Sequence, residues 1–158
     1  MFGLFKPKKQ ILVSPADGHI VKLEDIPDEV FSAKLAGDGI ALMPSSNTFV
    51  APISGVVSKI FSTNHAFSIR TSNGLEVMVH IGLDTVELNG EGFKALVKEG
   101  DKVSVGKPII SADLAFIESK GKPIITPIVV NHEKEITISS DKVRTIREGE
   151  ELIEISFK

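Results

Sequence analysis

His65 and His80 are the residues with chemistry to offer. They flank Ser72-Asn73-Gly74, and the runs on either side of it, 66–71 and 75–81, read as strands. Asn-Gly is a strong hairpin signal, because a two-residue type I′ turn needs positive φ at both central positions. With Asn73 and Gly74 in those positions, Phe67 lies opposite His80 and His65 opposite Gly82. His65 is then the diagonal neighbour of His80 on one face, roughly 7–8 Å away between Cβ atoms. A three-residue Ser72-Asn73-Gly74 loop shifts the register by one instead, and puts the histidines on opposite faces. The orientation of His80 does not depend on the turn. Val77, Val79 and Ile81 alternate with Glu76, Met78 and His80, so the first set reads as core and His80 points outward.

Two imidazoles meeting around one atom suit either a metal or a phosphorus. Zinc takes histidine nitrogens with a carboxylate, and His80-x-x-x-Asp84 supplies one. Phosphoryl transfer needs one imidazole neutral at the attacking nitrogen, its other nitrogen held by an acceptor, while the second imidazole steadies the phosphoryl oxygens. His19 and His132 sit among polar neighbours and read as solvated surface residues. Other motifs fail. Gly37-Asp38-Gly39 is half a dinucleotide fingerprint with no helix after it. Gly100 to Lys107 has the wrong spacing for a phosphate loop, and Pro108 follows where a hydroxyl is needed.

The elements that position the histidines are mostly strands. Further Val- and Ile-rich runs lie at 11–13, 20–23, 39–43, 48–51, 55–60, 102–103, 108–112, 124–130, 136–138 and 151–156, between Gly, Pro, Asn and Asp signals. This spacing predicts an all-β antiparallel sandwich or barrel. Two short helical stretches are expected, at 93–99 closed by Gly100 and near 114–120. Pro15-x-x-Gly18 with Lys22 is echoed by Pro52-x-x-Gly55 with Lys59, each Pro-x-x-Gly opening a β run. With the Gly-Asp-x-Val-x-x-Gly pattern after Glu99, this resembles the turn-rich half of a barrel-sandwich hybrid with Greek-key or jelly-roll connections.

A length of 158 residues suits one domain, expected over 10–158 after a basic, apolar tail at 1–9. The absence of cysteine excludes disulfides, thiolate metal sites and cysteine nucleophiles. Beyond the three lysines of the tail, 15 basic side chains face 21 acidic ones, a balance that argues against nucleic acid as partner. No apolar run reaches membrane-helix length, and no secretory signal is evident, so the expected compartment is the cytoplasm. Phe2, Leu4 and Phe5 beside lysines allow at most a peripheral membrane contact, and Pro7 limits any helix there.

The run Thr63-Asn64-His65-Ala66-Phe67-Ser68-Ile69, followed by Val79-His80-Ile81-Gly82-Leu83-Asp84-Thr85-Val86-Glu87-Leu88-Asn89-Gly90-Glu91-Gly92-Phe93, resembles the glucose-type IIA family of the bacterial sugar phosphotransferase system. The likeness begins near Ile11 and takes in Ile26-Pro27-Asp28-Glu29-Val30-Phe31, Gly37-Asp38-Gly39-Ile40-Ala41 and Leu114-Ala115-Phe116-Ile117-Glu118. It implies a stand-alone carrier that takes phosphate from the phosphohistidine of HPr and passes it to a cysteine on the IIB domain of a sugar permease. By resemblance, His80 is phosphorylated at Nε2 and His65 stabilises the phosphoryl group. Thr63 orients His65, and the Gly82 carbonyl holds His80 Nδ1. Val30, Phe31, Leu35, Ala36, Phe61, Ser68, Met78 and Val86 would ring the histidines as a docking surface, with Asp28 and Asp84 meeting basic partners. Met78 stands where the family more often has Phe, and Ala36 where it has Val. The resemblance implies no required cofactor, with zinc only where His65 and His80 join a partner's carboxylate. It also implies regulatory protein targets, and a purely regulatory binding module is one alternative. The other is a zinc peptidase of the LytM type, which shares His-x-x-x-Asp but needs a His-x-His that this chain lacks.

Overall fold

The computed structural model describes residues 9–140 and 143–157. Its strands are β1 Lys9–Val13, β2 Gly18–Val21, β3 Asp38–Pro44, β4 Thr48–Val50, β5 Gly55–Ile60, β6 Ala66–Arg70, β7 Glu76–His80, β8 Phe93–Ala95, β9 Lys102–Val103, β10 Pro108–Ala112, β11 Thr126–Asn131, β12 Ile136–Ser140, β13 Thr145–Ile146 and β14 Glu151–Phe157. Two short helices, α1 Glu29–Ser32 and α2 Leu114–Ser119, and 3-10 turns at Leu23–Asp25 and Thr85–Leu88 complete the chain. The all-β expectation is met. One sheet has the order β13-β2-β3-β11-β7-β6-β5-β9, and two three-stranded sheets run β1-β14-β12 and β4-β10-β8.

The Pro-x-x-Gly echo marks a structural duplication. Val13 N–H donates to the Pro52 carbonyl and Val50 N–H to the Pro15 carbonyl, both at 2.9 Å. Ser14 N–H donates to Glu150 O and Ala51 N–H to Lys107 O, both at 2.8 Å. The two halves therefore exchange equivalent bonds about a pseudo-twofold axis, with β1, β2, β13 and β14 matching β4, β5, β9 and β10. Both glycines of the motif sit where strands approach closely. A Cβ on Gly18 would lie 2.3 Å from the Met43 carbonyl oxygen, and one on Gly55 2.4 Å from that of Arg70. The main core, including Leu12, Ile20, Phe49, Phe67, Val77, Ile110 and Ile153, lies on the inner face of the long sheet.

A second apolar cluster lies apart from this core. It joins Ala41 of β3 and Val129 of β11 to Leu23, Ile26, Phe31, Leu83 and Ile125, with Met78 of β7 and Ala36 packed against them. Met78 and Ala41 belong to the face of the long sheet opposite the core, so residues 23–36 form a lid on that face. Fully burying Leu23 or Leu83 contributes about 1.5–3 kcal/mol each. The four-residue α1 would not form alone; packing of this lid holds it, with Asp28 as its N-cap.

Three expectations need correction. The β6–β7 loop is the three-residue Ser72-Asn73-Gly74, so Ala66 pairs with His80 and Phe67 with Val79. Only Gly74 of the loop has positive φ, +85°, which excludes a type I′ turn. Thr71 closes the longer loop, its N–H donating to Leu75 O at 2.9 Å and its Oγ1 accepting from Leu75 N–H at 3.1 Å. The stretch 93–99 is not helical: Phe93–Ala95 forms β8 against β10, because Phe93 fills the core of the second half. His132 is no free surface side chain, since its ring packs on Phe157 and Nε2 lies 2.8 Å from Asn73 O. The apolar and basic residues of the expected tail, Phe2 to Lys8, lie outside the described residues, while Lys9 already pairs with Ser156 in β1.

Candidate active site

His80 ends β7. Val77 and Val79 are fully buried in the core, and alternation turns His80 to the lid face, as the sequence predicts. The next residues leave the sheet, and two buried contacts fix their path. Thr85 Oγ1 donates to Ile81 O at 2.6 Å, and Leu83 N–H donates to Pro123 O at 3.1 Å. Gly82 adopts φ +79°, and a Cβ there would lie 2.6 Å from Thr85 Cγ2 and 2.7 Å from Pro123 O. This bend aims the Gly82 carbonyl at His80 Nδ1, 2.8 Å away. A carbonyl only accepts, so Nδ1 carries the proton and Nε2 keeps its lone pair.

His65 precedes β6, outside the regular strand. Asn64 stands just before it in the left-handed region at φ +57°, which Asn tolerates better than most residues. The turn therefore interrupts the alternation that would place His65 opposite in face to Ala66. The shifted register and this turn together bring the two rings together, with centroids 4.8 Å apart and planes at 79°. Ile81 N–H donates to His65 O at 2.8 Å and ties the two segments. Thr63 Oγ1 lies 2.6 Å from His65 Nδ1, leaving Nε2 of each ring for a third party.

Both histidines are held neutral. His65 is 3% exposed, and burial, with a smaller contribution from His80, lowers its pKa to about 4. Burial also lowers the pKa of His80. Opposing that shift are the Gly82 carbonyl and the charges of Asp28 and Asp84.

The expected docking residues fall into two tiers. Leu35 (73%), Val86 (51%) and Val30 (50%) are exposed. Ala36, Phe61 and Met78 are half-buried, and Phe31 and Ser68 are buried. Phe31 is thus floor, not rim; its ring lies 5.0 Å from that of His80. Ser68 pairs with Met78 on the His80 face but is covered. Asp28 accepts a hydrogen bond from Val30 N–H at 3.0 Å as the cap of α1, and Asp84 adopts φ +56° before the 3-10 turn. Sequence reading missed Thr85, Pro123 and Lys59. Lys59 Nζ sits 4.6 Å from the Phe61 ring centroid, and that ring lies 5.2 Å from His65. The spacing Lys59-x-Phe61 on one strand face is the signal for that stack; nothing in the sequence points to Pro123. Among the described residues no three His, Asp or Glu side chains are grouped to hold a metal ion.

Fold and site together define an all-β protein presenting a pair of neutral imidazoles above an apolar floor. Residues 10–136 match the family model for the phosphoenolpyruvate-dependent sugar phosphotransferase system, EIIA 1. The chain is 48% identical over 136 residues to the PTS system glucose-specific EIIA component of Haemophilus influenzae, covering 86% of this chain and 82% of that one. It is also 48% identical over 136 residues to the PTS system N-acetylglucosamine-specific EIICBA component of Klebsiella pneumoniae, covering 84% of this chain and 21% of that longer protein. The solved glucose permease IIA from Mycoplasma capricolum superposes with a TM-score of 0.89 at 37% identity, covering 93% of this chain and 96% of that one. The chain belongs to the EIIA 1 family of the sugar phosphotransferase system, and is a phosphoryl-carrying component of such a system. No described helix is long and apolar enough to cross a membrane.

Proposed function

We propose that His80 Nε2 accepts a phosphoryl group from the phosphohistidine of HPr and passes it to the cysteine thiolate of a IIB domain of a glucose-type permease, in the cytoplasm. The observation that carries this reading is the Gly82 carbonyl bond to His80 Nδ1, with the His65 ring 4.8 Å from that of His80. In the first step the Nε2 lone pair attacks phosphorus as the donor's N–P bond breaks, and the donor imidazole leaves with that electron pair. Nδ1 keeps its proton on the Gly82 carbonyl, so the loaded ring is a phosphorylated imidazolium; Asp28 and Asp84 favour its positive charge. Thr63 Oγ1 donates to His65 Nδ1 and fixes the proton on Nε2, where it donates to the phosphoryl oxygens. In the second step a thiolate attacks phosphorus, the Nε2–P bond breaks, and neutral His80 is restored. Positioning and charge stabilisation are what such a loose transfer asks of a protein.

Val30, Leu35 and Val86 form the apolar contact surface for both partners, and Asp28 and Asp84 raise the encounter rate with their basic groups. The same imidazole pair offers two nitrogen ligands; a carboxylate from a regulatory target would supply a third for zinc shared between the two proteins. Incubation with phosphoenolpyruvate, enzyme I and HPr tests the carrier. His80→Ala abolishes labelling, whereas His65→Gln takes up phosphate but passes it on to IIB at least tenfold more slowly. Labelling of His80→Ala at the normal rate refutes the assignment of the carrier residue.

A further inference from the structure

At the hairpin end of β6, away from the histidines, the sheet surface holds a cavity of about 600 Å³ whose lining includes Val56, Arg70, Thr71, Ser72, Lys102 and Ser104. The volume falls within the range of small-molecule sites. No lining residue is acidic, although the chain carries a net charge of −3. Register explains how the cations gather. Val56 of β5 is paired with Arg70 of β6 on one side and with Lys102 of β9 on the other. Directly paired residues share a face, so the three side chains form a row of cation, apolar residue, cation, with strands about 4.8 Å apart. Arg70 Nε donates to Glu76 Oε1 at 2.9 Å, which steadies the guanidinium and leaves its Nη groups for another acceptor.

The duplication supplies an internal comparison. The position equivalent to Val56 in the other half is His19, paired with Met43 and Thr145 where Val56 has Arg70 and Lys102. The fold is therefore built without a cation at either place. Arg70 and Lys102 occur in one half only, and they flank the exposed apolar side chain of Val56, while Val103, next to Lys102 on β9, turns into the core.

We propose that this cavity binds a small amphiphilic anion, an apolar chain or ring carrying one acid group, with Arg70 and Lys102 sharing the acid group over Val56. Octanoate serves as the probe, titrated into the full chain while backbone amide resonances are followed by NMR, with acetate as the short control. The expected result is saturable shifts at Val56, Arg70, Ser72, Lys102 and Ser104, with no movement at His19 or Thr145. Acetate binds at least tenfold more weakly. Arg70→Gln and Lys102→Gln, both at exposed side chains, each weaken octanoate binding severalfold, and the double variant by tenfold or more. Their well-dispersed spectra and unchanged HPr-dependent labelling certify the fold. Shifts scattered over the surface or centred on His65 and His80, or equal affinity in the double variant, overturn the proposal.

Discussion

Replacing His65 with glutamine removes a buried titrating group while keeping a polar side chain that can reach Thr63. Burial and the neighbouring His80 lower the pKa of His65 from 6.5 to about 4 in the folded protein. The unfolded chain therefore binds more protons than the folded one across that window, and stability falls as pH falls. The loss begins near the unfolded pKa and levels off below the folded one. From this shift His65 alone costs about 2 kcal/mol by pH 5 and about 3 kcal/mol by pH 4, relative to pH 7. His80 is shifted in the same direction, and every carboxylate also titrates, but both are common to wild type and variant. The difference in pH dependence between the two proteins reports His65 together with its coupling to His80, whatever the substitution does to stability at pH 7. Urea denaturation at pH 7, 5 and 4 measures it. The variant's stability should fall less steeply than that of wild type, by those amounts. Parallel curves, or a His65 ring titrating near pH 6.5 by NMR, refute the reasoning that burial holds this ring neutral.

Other perturbations act on the frame around His80. Gly82→Ala meets Thr85 and Pro123 at under 3 Å and an unfavourable φ of +79°, and should destabilise by more than about 2 kcal/mol in chemical denaturation. Thr85→Val keeps the shape but leaves the buried Ile81 carbonyl without its hydroxyl donor. It should cost about 1–3 kcal/mol and weaken the His80 Nδ1–H bond, read from the imidazole nitrogen shifts. Asp28→Asn still caps α1 through its side-chain oxygen but removes a charge. Denaturation should change little, while the His80 pKa falls further and capture of phosphate from HPr slows severalfold at low salt.

The alternation at 76–81 made the outward direction of His80 legible, and the Pro-x-x-Gly echo contained the duplication. The turn between β6 and β7 was ambiguous because Asn73-Gly74 suits both a two-residue and a three-residue loop. The choice lay with Thr71, which bonds Leu75 through backbone and side chain. The meeting of the rings could not be read from spacing either. It needs that shifted register together with the left-handed Asn64, two departures whose effects offset each other. The segment 93–99 carries good helix formers, yet pairing with β10 and the burial of Phe93 override that preference. The cap Asp28 stands after Pro27 with only four helical residues behind it, too few for a periodicity to show. Two-residue β13 is equally silent on its own and becomes legible only as the counterpart of β9.

The central claim is that the Gly82 carbonyl holds the proton on Nδ1 of His80, so that phosphorus bonds to the other ring nitrogen. Histidine-selective 15N labelling, followed by phosphorylation through HPr and 31P–15N NMR, reads the bonded atom directly. The account predicts a single phosphorylated nitrogen, Nε2 of His80, with Nδ1 still protonated. Phosphorus bonded to Nδ1, or to either nitrogen of His65, contradicts it.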